Sequence, residues 1–524
     1  MKFNIASRPT AATTNYMGGK AFRLSAEMEL YTTVVSSMLQ DSYYEKADDR
    51  LARIQKLVPQ VNPQFVARLA VYTREQMHLR LVPLVLAGEL AKVHHGDNLV
   101  SRTVARIVGR PDEITELLAY YQVTNQRTDT KKLGKLSKQI QKGLAMSFNR
   151  FDGYQFAKYN RSGSVTLRDA LFLVHPKAKD EAQQLLFNQI VTDSLPVPYT
   201  WETELSQLGQ QTFASEAEKQ QAKAAKWEEL VLSGKVGYMA LLRNLRNIVT
   251  QGTDVALTEA LKQIADKTKV LRSKQLPFRF LSAYAEIEAL AQNKPLFESE
   301  KAKINATLKA IEQAVIYATD NIPIIKGKTL ILSDNSGSMF GDMGGKSVVS
   351  AMSRRTTADI ANLFAVLYWL RADDTLVGLF GDKLIMPALN RKHSVFENFK
   401  AIDAEAKKCG PSTEQGIFDM MEMLLAKKQQ VDRIIIFSDC QVGGKCNWFD
   451  KKRRAGNDFN KLFQAYRQIN PSVITYSVDL KGYGNTLFDE GVMTVAGWSE
   501  KIFDMMVSLE ENESVLAAIN AIEL

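Results

Sequence analysis

One stretch constrains the fold more than any other. Lys328-Thr-Leu-Ile-Leu-Ser-Asp334-Asn-Ser336-Gly-Ser338-Met339 is an apolar run of strand length that ends in small polar residues. It reads as a buried β-strand opening into an oxygen-rich loop. Asp-x-Ser-x-Ser in such a loop can bring one carboxylate and two hydroxyls around a hard divalent cation, because short oxygen side chains at alternate positions converge where the backbone turns tightly, with Mg²⁺ as the expected ion.

Beyond Gly327 the pattern alternates strand and helix. Strands are expected at 329–333, 375–380, 433–437 and 472–478, and helices at 357–370, 416–426, 459–469 and 500–509. Short apolar strands alternating with helices predict a doubly wound parallel sheet, and such sheets bind ligands at the C-terminal ends of their strands. Asp439 follows the strand Ile434-Ile-Ile-Phe-Ser just as Asp334 follows its own. The expected ligands are therefore Asp334, Ser336, Ser338 and Asp439, with Thr413 from the Cys409-Gly-Pro-Ser-Thr413 loop. Two roles are open to the ion: binding an acidic ligand at a free position, or stapling the rim.

Leu24 to about Asp320 reads instead as helices joined by short polar breaks. Apolar residues recur at Met28, Leu30, Val34, Val35, Met38 and Leu39, and 63–76 behaves similarly. A run of helices this long predicts an α-solenoid. The break at 321–327 divides the chain into a helical domain, 1–322, and an α/β domain, 323–524.

The formal net charge is +9, and the excess lies wholly in the helical part. Residues 131–179 carry eleven basic residues against Asp152 and Asp169. Lys131, Lys135, Lys138 and Lys142 fall close to one helix face. Lys158, Arg161, Arg168, His175 and Lys177 follow, interleaved with aromatics. Such a surface suits a polyanion, because each phosphate contact releases counterions. Phe151 and Phe156 are expected in the core, and His175 alone fits a structural role as well as a contact.

Other chemistries are disfavoured. Gly344-Gly-Lys346-Ser347 lacks the first glycine of a phosphate loop, since Phe340 stands there, and Lys326-Gly-Lys-Thr329 enters a strand. Ser336 stands where an aspartyl phosphotransferase needs its second Asp. Cys409, Cys440 and Cys446 form no even framework and read as free thiols of a reducing compartment. No stretch is long and apolar enough to span a bilayer, so a cytoplasmic protein is expected.

Asn15-Tyr-Met-Gly-Gly-Lys-Ala-Phe22, Thr166-Leu-Arg-Asp-Ala-Leu-Phe-Leu-Val-His175-Pro, Tyr238-Met-Ala-Leu-Leu-Arg243-Asn-Leu245, Leu276-Pro-Phe278 and the Asp334 motif occur in order. Together they resemble the Ro autoantigen family, in which a TROVE domain precedes a von Willebrand factor A-like domain. The resemblance implies a ring of HEAT-like helical repeats closed by the A-like domain, with its metal site. It further implies Y RNA bound on the outer basic surface and single-stranded 3′ ends of misfolded or structured noncoding RNAs in the hole.

By that likeness Lys158, Arg161 and His175 fall on the Y RNA surface, while Arg243 and Asn244 belong to a signature that could face the hole or the core. Ser162 stands where the pattern favours a base, and Gly410-Pro-Ser-Thr413 leaves Ser412 as a rival to Thr413. Bacterial relatives work with polynucleotide phosphorylase. The expectation is a monomeric, non-enzymatic RNA-binding scaffold of RNA quality control or degradation. The alternative is a metal-dependent protein-interaction adaptor acting through the A-like domain.

Overall fold

The helices of the first part arise where apolar stripes meet good caps. Asn62 caps Pro63–Glu75, and Asp152 and Thr166 form reciprocal capping boxes at Gly153–Tyr159 and Leu167–Val174. The computed structural model describes residues 12–37, 42, 44–125, 136–292, 297–320, 322, 324–341, 347–349, 355–443, 458–510 and 514–524. Within them, Ala26–Val35 to Glu298–Ala318 is helical, and each helix packs on near neighbours in sequence. Lys138–Phe148, for example, packs on Leu99–Ile107 and on Leu167–Val174. At Gly143 a Cβ would lie 2.7 Å from the Ser101 carbonyl oxygen, so only glycine permits this approach of the two helices. The solenoid expected from sequence is present.

The α/β part holds a six-stranded sheet whose spatial order is 384–385, 372–380, 325–334, 433–438, 474–479 and 493–496. Its strands are β3 (Ile325–Asp334), β4 (Ala372–Phe380), β5 (Leu384–Ile385), β6 (Arg433–Ser438), β7 (Ile474–Asp479) and β9 (Met493–Ala496). All neighbours are parallel except β5, which pairs antiparallel with β4. Leu330–Leu332 and Ile434–Phe437 are buried, as a sheet covered on both faces requires. Thr357–Arg371 is apolar on nearly every side because it lies between the sheet and the helices Pro277–Gln292 and Val395–Ala406.

A second sheet escaped the sequence reading. β1 (Ala12–Thr14) and β2 (Lys20–Arg23) form a hairpin, and β2 pairs antiparallel with β8 (Asn485–Thr486). The N-terminal residues thus join the α/β part across the boundary drawn at 322.

The α/β part touches both ends of the solenoid. At the late helices, Tyr284 packs on Phe396 with ring centroids 4.4 Å apart, and Ser394 Oγ donates to Glu312 Oε1 at 2.6 Å. At the early helices, Arg50 donates to the Lys481 carbonyl at 2.7 Å, and Arg68 to the carbonyl of Ile522 at 3.0 Å. The helix Val515–Asn520 also packs on Pro63–Glu75. The helical chain and the α/β part therefore close on one another.

His78, at the turn after Pro63–Glu75, supplies a pH dependence. Burial, with Lys274, Lys501 and Arg74 nearby, lowers its pKa to about 4. The unfolded chain then binds the extra proton first, so stability falls as pH drops from about 6.5 to about 4 and the loss levels off below that. His78→Gln should remove ~1–3 kcal/mol of this acid sensitivity, read by urea denaturation at pH 7.5 and 4.5.

Candidate nucleic-acid surface and cation site

Parallel pairing sets the rim of the large sheet. Ser333 pairs with Phe437, and Ser438 with Asp479, so β3, β6 and β7 end together. Asp334 is fully buried: Oδ1 accepts from the Ser336 amide at 2.9 Å and Oδ2 from Ser438 Oγ at 2.6 Å. Ser336 Oγ and Ser338 Oγ stand 3.3 Å apart. The Asp439 carboxylate accepts through Oδ1 from the Gln441 amide at 3.0 Å. Asp439 Oδ2 is buried with no hydrogen-bond partner among the described residues.

The electrostatics of the rim fit a cation. Burial first, and then the Asp439 carboxylate, push the Asp334 pKa up; burial, Asp334 and Asp439 do the same to Glu414. Lys481, itself buried, is the cation whose charge acts on Asp439. Orphaned carboxylate oxygen and mutual repulsion among buried acids are both relieved by a divalent ion. Among the described residues no three carboxylate, imidazole or thiol groups converge as a cage, so hydroxyls and water would complete the shell.

Thr413 is half-buried, and its Oγ1 donates to Asp382 Oδ1 at 2.8 Å. Ser412 is exposed. Glu414 went unnoticed in the sequence because a single acid before the helix Gln415–Ala426 carries no local signal. It is buried, and it accepts from the Gly443 amide at 3.0 Å.

The basic surface is built on Lys138–Phe148 and Leu167–Val174. Gln141 Nε2 donates to the Leu173 carbonyl at 2.8 Å, and Asn149 Nδ2 to that of Lys177 at 2.8 Å, which locks the two helices together. Lys138 and Lys142 are exposed on the first helix. Arg168 and Phe172 are exposed four residues apart on the second, and His175 follows at its C-cap with φ 50°. Phe172 keeps 54% of its surface in water. Lys177 is exposed beyond Pro176.

Lys158 lies over the rings of Tyr154 and Tyr159 at 5.7 Å each, and Arg161 is exposed just beyond. Among the described residues no carboxylate forms an ion pair with Lys138, Lys142, Lys158, Arg161, Arg168 or Lys177. Lys131 and Lys135 lie outside the described residues. Arg150 is diverted from this surface, since its guanidinium bonds the carbonyls of Ala105 and Val108. Phe151 and Phe156 are buried, as expected.

A separate groove of about 790 Å³ runs between Tyr238–Gln251 and Pro277–Gln292, lined by Arg243, Arg246, Asn247, Gln275, Arg279 and Arg355 among others. Arg243 is exposed to it, whereas Asn244 is buried and donates to the Ala240 carbonyl at 2.9 Å. The signature thus splits between groove and core. Burial first, and then the neighbouring Arg243, lower the Arg279 pKa, while Glu286 in the same groove pairs with Arg246 at 3.3 Å.

A family model described as "TROVE domain" matches residues 28–195 and 193–329, more than half of the chain. Telomerase protein component 1 of Mus musculus is 23% identical over 337 residues, 50% of this chain and 13% of that protein. The protein of the same name from Rattus norvegicus matches to the same extent. The chain therefore spans only a small part of the length of these curated relatives. The crystal structure of Deinococcus radiodurans RO (RSR) protein aligns with a TM-score of 0.57 at 16% identity, covering 95% of this chain and 99% of that one. At that identity the likeness establishes the shared fold.

Proposed function

We propose that this chain, which belongs to the TROVE-domain family, is a non-catalytic RNA-binding scaffold of RNA quality control or degradation. The observation that carries the reading is a set of six cations, Lys138, Lys142, Lys158, Arg161, Arg168 and Lys177, with no ion-pair partner among the described residues, on the helices 138–148, 153–159 and 167–174 and the segments that follow them. Six unneutralised charges within 138–177 repel one another, and a phosphate backbone relieves that repulsion while releasing counterions. Phe172 and Tyr154 add exposed rings for unpaired bases. A Y RNA-like structured RNA is assigned to this surface through Lys138, Lys142, Lys158, Arg161, Arg168, His175 and Lys177. A single-stranded 3′ end is assigned to the Arg243–Arg279 groove.

Asp334, Ser336, Ser338 and Asp439, with Thr413 at the edge, would hold Mg²⁺. The ion would offer an open position to an acidic side chain of a protein partner, for which a ribonuclease such as polynucleotide phosphorylase is our candidate. The buried orphan oxygen of Asp439 favours this second, adaptor activity alongside RNA binding.

The test is a titration of the purified chain with a Y-like stem-loop and with a single-stranded RNA at two salt concentrations. Binding of both, weakening steeply as salt rises, is expected. Negligible affinity for either at low salt would leave the adaptor reading in its place.

A further inference from the structure

The Asn15–Phe22 motif is a conspicuous sequence feature that neither RNA binding nor the cation ligands account for. Its turn sits directly on the loop that carries Asp439. Asn15 Nδ2 donates to the Val442 carbonyl at 2.8 Å, and the Tyr16 amide donates to Gln441 Oε1 at 2.9 Å. The same Gln441 side chain donates through Nε2 to the Asp439 carbonyl at 3.2 Å and to Asn485 Oδ1, on β8, at 3.3 Å. Its backbone amide holds Asp439 Oδ1. Gln441 therefore bridges the hairpin to the cation ligand by both side chain and backbone.

Two more observations make this a built seat. A Cβ on Gly19 would lie 2.3 Å from the Val442 carbonyl oxygen, and one on Gly443 would lie 2.6 Å from Met17 Cβ, so each backbone passes the other only where a side chain is missing. Cys440, between Asp439 and Gln441, has φ 60°, a left-handed conformation that a non-glycine residue keeps only when its surroundings hold it there. Asn15 is buried, and its own Oδ1 accepts from the Gly19 amide at 2.8 Å, which fixes the turn that presents Nδ2.

We propose that the N-terminal hairpin is a positioning element for the cation site: seated, it holds the 439–443 loop so that the free Asp439 oxygen faces the Asp334 loop. This inference rests on the cation reading given above. Linkage makes it reciprocal, so cation uptake tightens the hairpin seat. Because β2 leads directly into Ala26–Val35, an occupied site also strengthens the junction through which the first helices grip the α/β part.

The experiment uses the full chain and Mn²⁺ as probe, with free Mn²⁺ read by electron paramagnetic resonance. The intact chain should bind and Asp439→Asn should not, which tests the cation reading itself. Asn15→Ala and Gly19→Val should each bind at least ~10-fold more weakly, a coupling of ordinary size, with helical content and RNA affinity unchanged. Asn15→Asp keeps the turn acceptor but loses the donor to Val442, and should resemble Asn15→Ala. In the intact chain, hydrogen exchange at the Tyr16 and Gly19 amides should slow when Mg²⁺ is added. Variants that bind Mn²⁺ as tightly as the intact chain, even if they melt earlier, would overturn the positioning role and leave the cation reading standing. An intact chain that takes up no Mn²⁺ would overturn both.

Discussion

Replacing Lys138, Lys142, Arg168 and Lys177 together by glutamine is expected to weaken binding of a structured RNA by about 100-fold or more at moderate salt. Each lost phosphate contact removes one released counterion, so the slope of log affinity against log salt should flatten by roughly 0.7–0.9 per contact. All four are exposed, and no carboxylate pairs with them among the described residues, so the substitution disturbs neither packing nor an ion pair. Helical content and unfolding midpoint should stay within error of the unaltered chain. Fluorescence anisotropy across a salt series reads both affinity and slope. An unchanged slope would place the polyanion elsewhere.

The second large effect concerns the early junction. Arg50 is buried and donates to Glu45 Oε2 at 2.7 Å, to the Ser36 carbonyl at 3.3 Å and to the Lys481 carbonyl at 2.7 Å. One guanidinium thus joins the helix Ala47–Leu57, the end of Ala26–Val35 and the loop after β7. Glu45 keeps its two bonds to Arg53, so Arg50→Ala mainly leaves two buried carbonyls without donors, at a cost of about 2–4 kcal/mol. Lys does not substitute, because one ammonium cannot span three acceptors with the same planar fork. Urea denaturation should show the loss. Limited proteolysis should show it too, as new cleavage among the first helices. Wild-type stability in Arg50→Ala would mean that the hairpin and the C-terminal helix alone suffice for closure.

The sheet was legible because its signal is local. Runs such as Ile434–Phe437 have no exposed face to confuse the period, and parallel register then brings Asp334 beside Ser438 without further information. The same locality made Lys138 and Lys142 readable as one helix face. The Ro resemblance drawn from ordered short motifs is met by the TROVE match and by the shared fold.

What escaped depends on partners far apart in the chain. Asn15 meets Val442 across 427 positions, and nothing near either residue announces the other. Glu414 gains its meaning from burial against Asp334 and Asp439, and Arg279 from its place beside Arg243 in a groove. Arg150, one of the eleven basic residues of 131–179, turns its guanidinium to the carbonyls of Ala105 and Val108, partners more than forty positions away.

Crosslinking a bound Y-like stem-loop by ultraviolet light and identifying the attached peptides by mass spectrometry asks most directly where RNA sits. Adducts are expected within 136–179, centred on Tyr154, Phe172 and His175, and they should be lost at high salt. Adducts confined to 325–524, with none on the helices, would contradict it.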